Sequence, residues 1–443
     1  MGEWHLSKYT MFTKPPNHNF MVAVNLMRGT QTILFPEELS KLINFKQLDK
    51  DSELFKKFKK QGLIVNYNEL LMIDTIAKCN CANGGATITI CPTLNCNFNC
   101  PYCFEKHLPG KMSEEIQDKV IQLIEKILKN VKKRTLYVTW YGGEPLLAPE
   151  IIENLSNKLI KLCEKENVIY SAGIITNGYL LNQNIVDMLN KAKVINYQIT
   201  LDGIDKTHNK TRRLVNGDGT FEKIGENLRT LKIKGNISIR HNVHKDNINE
   251  VNMLHTFVKY LAKQSGNKIH YYPAFVFDNA AEEREGQVKF LNKEEKAMLE
   301  LEKDYNLFSS GKAQYCGSQL LYSCVIDPNG NLYKCWEDVD KIERSFGHID
   351  SWNPYNPLIT ATNPEIISNY MNSVGTSLDE ECIKCIWLPL CRGGCPSKRL
   401  YSKKVCVSYK DEPEIFLSRI IKNNIKKWEI RHNKNEQEKS RTN

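Results

Sequence analysis

Cys96-Asn97-Phe98-Asn99-Cys100-Pro101-Tyr102-Cys103 is the stretch that decides how this chain folds and what it holds. Three thiols spaced C-x3-C-x2-C on one short loop can bind three irons of a four-iron cluster, leaving the fourth iron without a protein ligand. An open iron is a place where a small molecule can chelate and receive an electron, much as a catalytic zinc keeps one free position. A three-ligand zinc site with a distant fourth residue is the competing reading, and its usual spacings differ from this one. The loop follows directly on a short apolar run, Thr87–Cys91, which has the character of a buried strand.

Working outward, similar runs occur at Leu136–Tyr141, Ile169–Ile175, Ile195–Leu201, Ile237–Asn242 and Ile269–Phe275. Helical patterns lie between them, at Ser113–Lys129, Pro149–Lys165, Asn182–Ala192, Phe221–Lys232 and Asn249–Lys263. Strands separated by helices imply right-handed crossovers and a parallel sheet. Six such units over residues 81–300 predict an α/β fold, a partial (β/α)6 barrel with its ligands at the C-terminal ends of the strands.

The flanking segments read differently. Residues 1–80 mix strands at Phe20–Asn25 and Thr30–Leu34 with a helix starting at Pro36, a basic helix over Asp51–Gln61 and a strand at Gly62–Val65. That mixture resembles a winged helix, a unit that docks a peptide or a nucleic acid; a simple cap on the main domain is the plainer alternative. Residues 301–412 lose the strand–helix rhythm and are rich in Cys, Gly, Pro and Trp, as expected of a unit ordered by metal sites. Residues 413–443 read as a basic amphipathic helix followed by a disordered polar tail, Asn433–Asn443.

The chain carries 15 cysteines and a net charge of +10 in 443 residues. Its N-terminus lacks the charged start and apolar core of a signal peptide, and no apolar run reaches the ~18 residues of a membrane span. A cytoplasmic location without a membrane partner is therefore expected. Disulfides are disfavoured there, so cysteines in tight clusters point to metal ligation. The positive charge would suit an acidic peptide or a nucleic acid and does not choose between them.

The Cys96–Cys103 loop resembles the signature of the radical S-adenosylmethionine (SAM) superfamily, which has this spacing and an aromatic residue before the last cysteine. The resemblance implies that Cys96, Cys100 and Cys103 hold a catalytic [4Fe–4S] cluster and that Tyr102 lies against the adenine of SAM. Gly142-Gly143-Glu144-Pro145, after the second strand, looks like the family's GGEP motif, which contacts the methionine amino group. Glycines there allow close backbone approach, and Glu144 offers a carboxylate to an ammonium. Asn177 follows the third strand, Thr200 ends the fourth, and His208 and Arg212 come after it. In similar enzymes the residues matching Thr200 and Arg212 contact the nucleoside or the carboxylate of the cofactor. The family's chemistry implies a 5′-deoxyadenosyl radical that abstracts a substrate hydrogen, with the electron coming from a flavodoxin or ferredoxin.

A second resemblance covers residues 316–406. Cys316, Gly330 and Cys335, then Cys382-x2-Cys385-x5-Cys391-x3-Cys395 and finally Cys406, are similar to the seven-cysteine SPASM pattern of radical enzymes that modify peptides and proteins. It implies two further [4Fe–4S] clusters, one on Cys382, Cys385, Cys391 and Cys406 and one on Cys316, Cys335 and Cys395. Cys324 would complete the second set, or it is simply buried in the strand-like stretch Tyr322–Ile326, leaving an open iron able to bind substrate. Two zinc ribbons are the alternative. Cys79 and Cys81 read as free thiols in a linker, Cys91 and Cys163 as buried apolar groups, and His241 and His244 as satisfied polar groups near a strand end.

These readings predict a maturase of a ribosomally made precursor peptide, whose leader docks on residues 1–80 and which gains a thioether or carbon–carbon crosslink. An anaerobic sulfatase-maturating enzyme that forms formylglycine is the alternative among enzymes. A zinc-dependent nucleic-acid-binding protein is the alternative of another class, and it lacks the interleaved aromatic and basic residues such a surface needs.

Overall fold

The computed structural model describes residues 2–244, 246–275, 316–402, 404, 406, 410 and 413–439. In the N-terminal unit β1 (His5–Leu6) pairs with β5 (Ile64–Val65), and β2 (Thr10–Thr13), β3 (Met21–Asn25) and β4 (Thr30–Leu34) form an antiparallel sheet with β3 central. Helices α1 (Pro36–Ile43), α2 (Glu53–Gln61) and α3 (Glu69–Asn83) follow. Side chains alternate across β3, so Ala23 packs towards α1 and α2 with Leu42, Phe55 and Phe58. Val22 and Val24 take the other face, where they meet Trp387 and the Phe416, Leu417 and Ile421 side chains of a C-terminal helix, Pro413–Lys439. Both faces of the small sheet are thus covered.

Two expectations change here. Cys79 and Cys81 are not in a linker: α3 carries both, because Asn68 caps it by accepting from Leu71 N at 3.0 Å and no Gly or Pro interrupts it before Gly84. The C-terminal helix runs to Lys439 rather than ending before Asn433, in keeping with the helix-forming Glu, Lys and Gln residues of that stretch. The boundary at 300/301 lies outside the described residues, as does residue 412, the near side of the boundary at 412/413.

The six expected barrel strands are present as β6 (Ala86–Ile90), β7 (Thr135–Trp140), β8 (Ile169–Thr176), β9 (Val194–Thr200), β10 (Asn236–Val243) and β11 (Lys268–Phe275). They are parallel and adjacent in sequence order. Around them lie α4 (Glu114–Asn130), α5 (Pro149–Lys165), α6 (Gln183–Lys191), α7 (Asp205–Thr211), α8 (Phe221–Thr230) and α9 (Val251–Ser265). Periodicity did not announce α7, a polar seven-residue helix that buries only His208. Apolar residues such as Ile88, Leu136, Trp140, Ile174, Ile199 and Ile237 fill the core between strands and helices.

The sheet does not stop at β6. A hairpin from the cysteine-rich region joins it: β12 (Ser323–Ile326) runs parallel to β6, with Cys324 opposite Ile88, and β13 (Asn331–Tyr333) and β14 (Gly347–His348) continue antiparallel. The result is one nine-stranded sheet in the order β11-β10-β9-β8-β7-β6-β12-β13-β14.

Candidate active site

The C-terminal ends of the barrel strands open into a cavity of about 430 Å³. Cys96, Cys100, Cys103, Tyr102, Gly142, Gly143, Asn177, Thr200 and Arg212, all expected from the sequence, line it together. The three thiols sense one another. Burial first, then the neighbouring Glu144, Cys100 and Cys103, push Cys96 up to about 12, and burial with Glu105 and Cys100 pushes Cys103 up to about 11. Burial likewise raises Cys100, against the pull of Arg212. Such thiols keep their protons until a metal displaces them, and three of them on one cavity wall fit a cluster.

Two glycines seat this loop. Gly142 adopts φ +121°, and a Cβ there would stand 2.2 Å from Thr93 O. A Cβ on Gly143 would come 2.3 Å from Asn95 O and 2.5 Å from Leu94 O. Without side chains the two loops lie flat against each other, and Glu144 N donates to Asn95 O at 2.9 Å.

Glu144 departs from the expectation that it faces a ligand ammonium. It is fully buried and commits its oxygens inside the protein: Oε1 accepts from Thr176 Oγ1 at 2.7 Å and Leu146 N at 3.0 Å, and Oε2 from Asn177 N at 2.7 Å. It ties the end of β8 to the glycine turn. Pro145, also buried, begins the short turn of helix after it and does not line the cavity.

Tyr102 is held from behind. Its hydroxyl donates to Asp202 Oδ2 and accepts from Arg212 Nη1 at 2.9 Å and Asn242 Nδ2 at 3.3 Å. Burial, opposed by Arg212, raises the Asp202 carboxyl, and Thr211 adds a hydroxyl to it at 3.2 Å. His208 accepts from Asp202 N at 3.2 Å and contacts Thr220 Oγ1 at 3.0 Å, which makes it a structural group. Arg212 lies 5.5 Å from the Phe98 ring, and its buried Nε has no partner among the described residues. A buried, unpaired guanidinium donor on the cavity wall fits a carboxylate or hydroxyl of a bound cofactor.

Sequence reasoning missed part of the lining. Gln198 and Arg240 come from β9 and β10, and Glu105, Tyr141, Trp336, Glu337 and Lys398 line the cavity as well. The Tyr141 and Trp336 rings meet at a tilt of 34° with centroids 5.5 Å apart. Glu105 is 8% exposed, and burial pushes its carboxyl up to about 7. Its place two residues after Cys103, and that of Trp336 beside Cys335, were the available signals. The cysteine-rich region therefore supplies part of the cavity lining.

That region gathers thiols twice more. Cys382, Cys385, Cys391 and Cys406 line one small pocket, and burial followed by the other three thiols raises Cys391. Burial also raises Cys335 and Cys395, and Cys316 is the thiol that adds to both. Cys324 lies elsewhere: 3% exposed, it shares the main apolar core with Ile326, and burial pushes it up to about 12 beside the Lys334 ammonium. Val325 takes the other face, with Cys91 and Tyr333. Cys91 and Cys163 are buried, and His241 is buried with its Nδ1 2.8 Å from the Tyr271 hydroxyl.

A barrel with three thiols at the mouth of its first strand, faced by a glycine turn and a buried arginine, defines a class of cluster-dependent radical enzymes. Residues 90–258 match the family model described as Radical SAM superfamily, and over that span the chain carries a radical SAM domain. The cysteine-type anaerobic sulfatase-maturating enzyme of Clostridium perfringens (strain 13 / Type A) is 27% identical over 374 residues, 75% of this chain and 96% of that protein. The radical SAM cyclopropyl synthase TigE of Paramaledivibacter caminithermalis is 28% identical over 155 residues, 32% of this chain and 31% of that protein. Among solved structures, native anSMEcpe with bound AdoMet and Cp18Cys peptide has a TM-score of 0.59 at 24% identity, covering 76% of this chain and 99% of that one. That last likeness is one of fold.

Proposed function

We propose that this chain is a maturase that removes a hydrogen from a ribosomally made precursor peptide and installs a thioether or carbon–carbon crosslink. Cys96, Cys100 and Cys103 would hold a [4Fe–4S] cluster with SAM beside it, and these groups would supply the 5′-deoxyadenosyl radical. The chain's own residues do the rest. Tyr102 and Arg212 form one wall for the cofactor, Gly142 and Gly143 let backbone approach it, and Tyr141 and Trp336 screen the cavity from water. Cys382, Cys385, Cys391 and Cys406, and separately Cys316, Cys335 and Cys395, would hold two auxiliary clusters. Cys324 sits as a core residue, and the second set would keep an open iron.

The observation that carries the peptide reading is the N-terminal unit. Its three-stranded sheet packs directly on Trp387 of the Cys385–Cys391 loop through Val22 and Val24, and among the described residues β4 has β3 as its one sheet neighbour. An extended leader can add to such an edge. A second reading, formylglycine formation on a sulfatase, has its support in the relative matched over 96% of its length.

The test is anaerobic incubation with a dithionite- or flavodoxin-reduced holoenzyme and the small peptide encoded beside the gene, read by mass. Loss of two hydrogens from the core of the peptide, dependent on its leader, supports the crosslink. Conversion of a cysteine or serine in a sulfatase-derived peptide, with the leader-bearing peptide untouched, moves the assignment to the second reading.

A further inference from the structure

The pocket of four thiols has two cationic side chains that each join a carboxylate to a sulfur. Arg399 donates through Nη1 to Asp379 Oδ2 at 2.6 Å and through Nη2 to Cys382 Sγ at 3.1 Å. Its Nε and Nη2 also reach Gly393 O, at 3.1 Å and 2.7 Å, which fixes the plane of the guanidinium. Lys410 Nζ lies 2.7 Å from Glu381 Oε1 and 3.8 Å from Cys406 Sγ. Lys404 links the two carboxylates, 3.1 Å from Asp379 and 2.6 Å from Glu381. Among the described residues this network sets three cations against two carboxylates, so one positive charge is left over beside the sulfurs.

A neutral thiol is a weak acceptor and would not organise such a shell. A metal-bound thiolate is a strong one, and its negative charge grows when an electron is added to the metal. Donors aimed at ligand sulfurs therefore favour the reduced state over the oxidised state. Arg399, with its side chain 16% exposed, makes the better shielded contact, while Lys410 is 33% exposed and longer. Their effects should rank accordingly.

Resting on the assignment of Cys382, Cys385, Cys391 and Cys406 as a cluster site, we infer that Arg399 and Lys410 are positioning residues that raise the reduction potential of that cluster. Neither touches the cavity thiols Cys96, Cys100 and Cys103, so the effect is confined to the distal site.

The experiment uses the full chain purified without oxygen, with iron and sulfide quantified, titrated with dithionite and followed by electron paramagnetic resonance. In Arg399→Met the reduced-to-oxidised ratio of one auxiliary cluster should fall roughly tenfold at the parent's midpoint, a fall of about 59 mV for one electron. Lys410→Gln should lower the same ratio by roughly threefold, as a longer and more exposed donor does. Arg399→Lys should fall between, and the SAM-bound cluster should keep its midpoint. Unmoved midpoints in iron-replete Arg399→Met and Lys410→Gln overturn the inference. If Arg399→Met loses iron, Lys410→Gln alone decides. The double variant Cys382→Ala/Cys385→Ala separates the two levels. If it keeps all the parent's iron, the cluster assignment itself fails, whereas iron loss there with unmoved midpoints sinks only the role of the cations.

Discussion

Substituting alanine for Gly143 tests whether the glycine turn holds the cysteine loop in place. The added Cβ would stand 2.3 Å from Asn95 O, 2.5 Å from Leu94 O and 2.6 Å from Asn95 C, all backbone atoms that no rotamer change can move away. Ordinary contact begins near 3.4 Å, so the Leu94–Asn95 backbone must retreat by about 1 Å, carrying the adjacent Cys96 with it. Overpacking of this kind costs about 1–3 kcal/mol. A displacement of about 1 Å at a reacting centre is worth about 100-fold in rate. The assay is 5′-deoxyadenosine formation from SAM under dithionite, with iron content measured on the same sample. Gly143→Ala should fall about 100-fold or lose the cluster of that loop. The matched control is Gly225→Ala in α8, where the new Cβ meets Phe257 Cζ at an ordinary 3.4 Å. That variant should be fully active and about 0.5–1 kcal/mol more stable, as alanine favours the helix. Gly143→Ala turning over within threefold of the parent would refute the seating argument.

Tyr102→Phe removes the hydroxyl shared by Asp202, Arg212 and Asn242, which should cost about 1–3 kcal/mol and weaken SAM binding roughly tenfold, read by equilibrium dialysis. Unchanged affinity would show that the network does not position the ring. Burial pushes His241 down to about 3, so the folded protein keeps it neutral while the unfolded chain takes a proton near pH 6.5. Stability from this group is present above pH ~6.5 and is lost as pH falls towards 3, at up to about 1.4 kcal/mol per unit. Urea midpoints from pH 7 to 5 should fall less in His241→Asn than in the parent; parallel profiles count against it. Trp387→Ala should cost about 3–5 kcal/mol and release the N-terminal unit, seen as faster proteolysis within residues 2–83. An unchanged digestion pattern would mean that the sheet is held elsewhere.

Much of the barrel was legible because its signals are local. A buried parallel strand is a short apolar run, and Ala86–Ile90, Thr135–Trp140 and Ile169–Thr176 all fall within about a residue of where such runs placed them. The cavity lining was legible for a related reason: turns after strands converge on one end of the sheet, so Tyr102, Gly143, Asn177, Thr200 and Arg212 had to meet. Partnerships between distant segments were not. Nothing near Val325 says that its strand will pair with β6, and nothing near Phe416 says that it will pack under Val22. Glu144 shows a further limit, since a carboxylate beside a ligand and one bracing a turn look alike in sequence. α3 was missed because Cys79 and Cys81 drew a chemical reading away from an uninterrupted helical stretch.

The hairpin that extends the sheet past β6 also guards it. Alone, the first barrel strand would present an open row of backbone donors and acceptors, the kind of rim on which other chains assemble. β12 covers that rim, and β14, the last strand on that side, has two residues and offers little to copy. Cys335 lies just beyond β13, so the ligands expected to order the cysteine-rich region also anchor the cover. With Cys335 holding the proposed auxiliary cluster, iron would bear on solubility as well as on turnover, and the soluble yield from iron-starved cells, expected to fall, checks this.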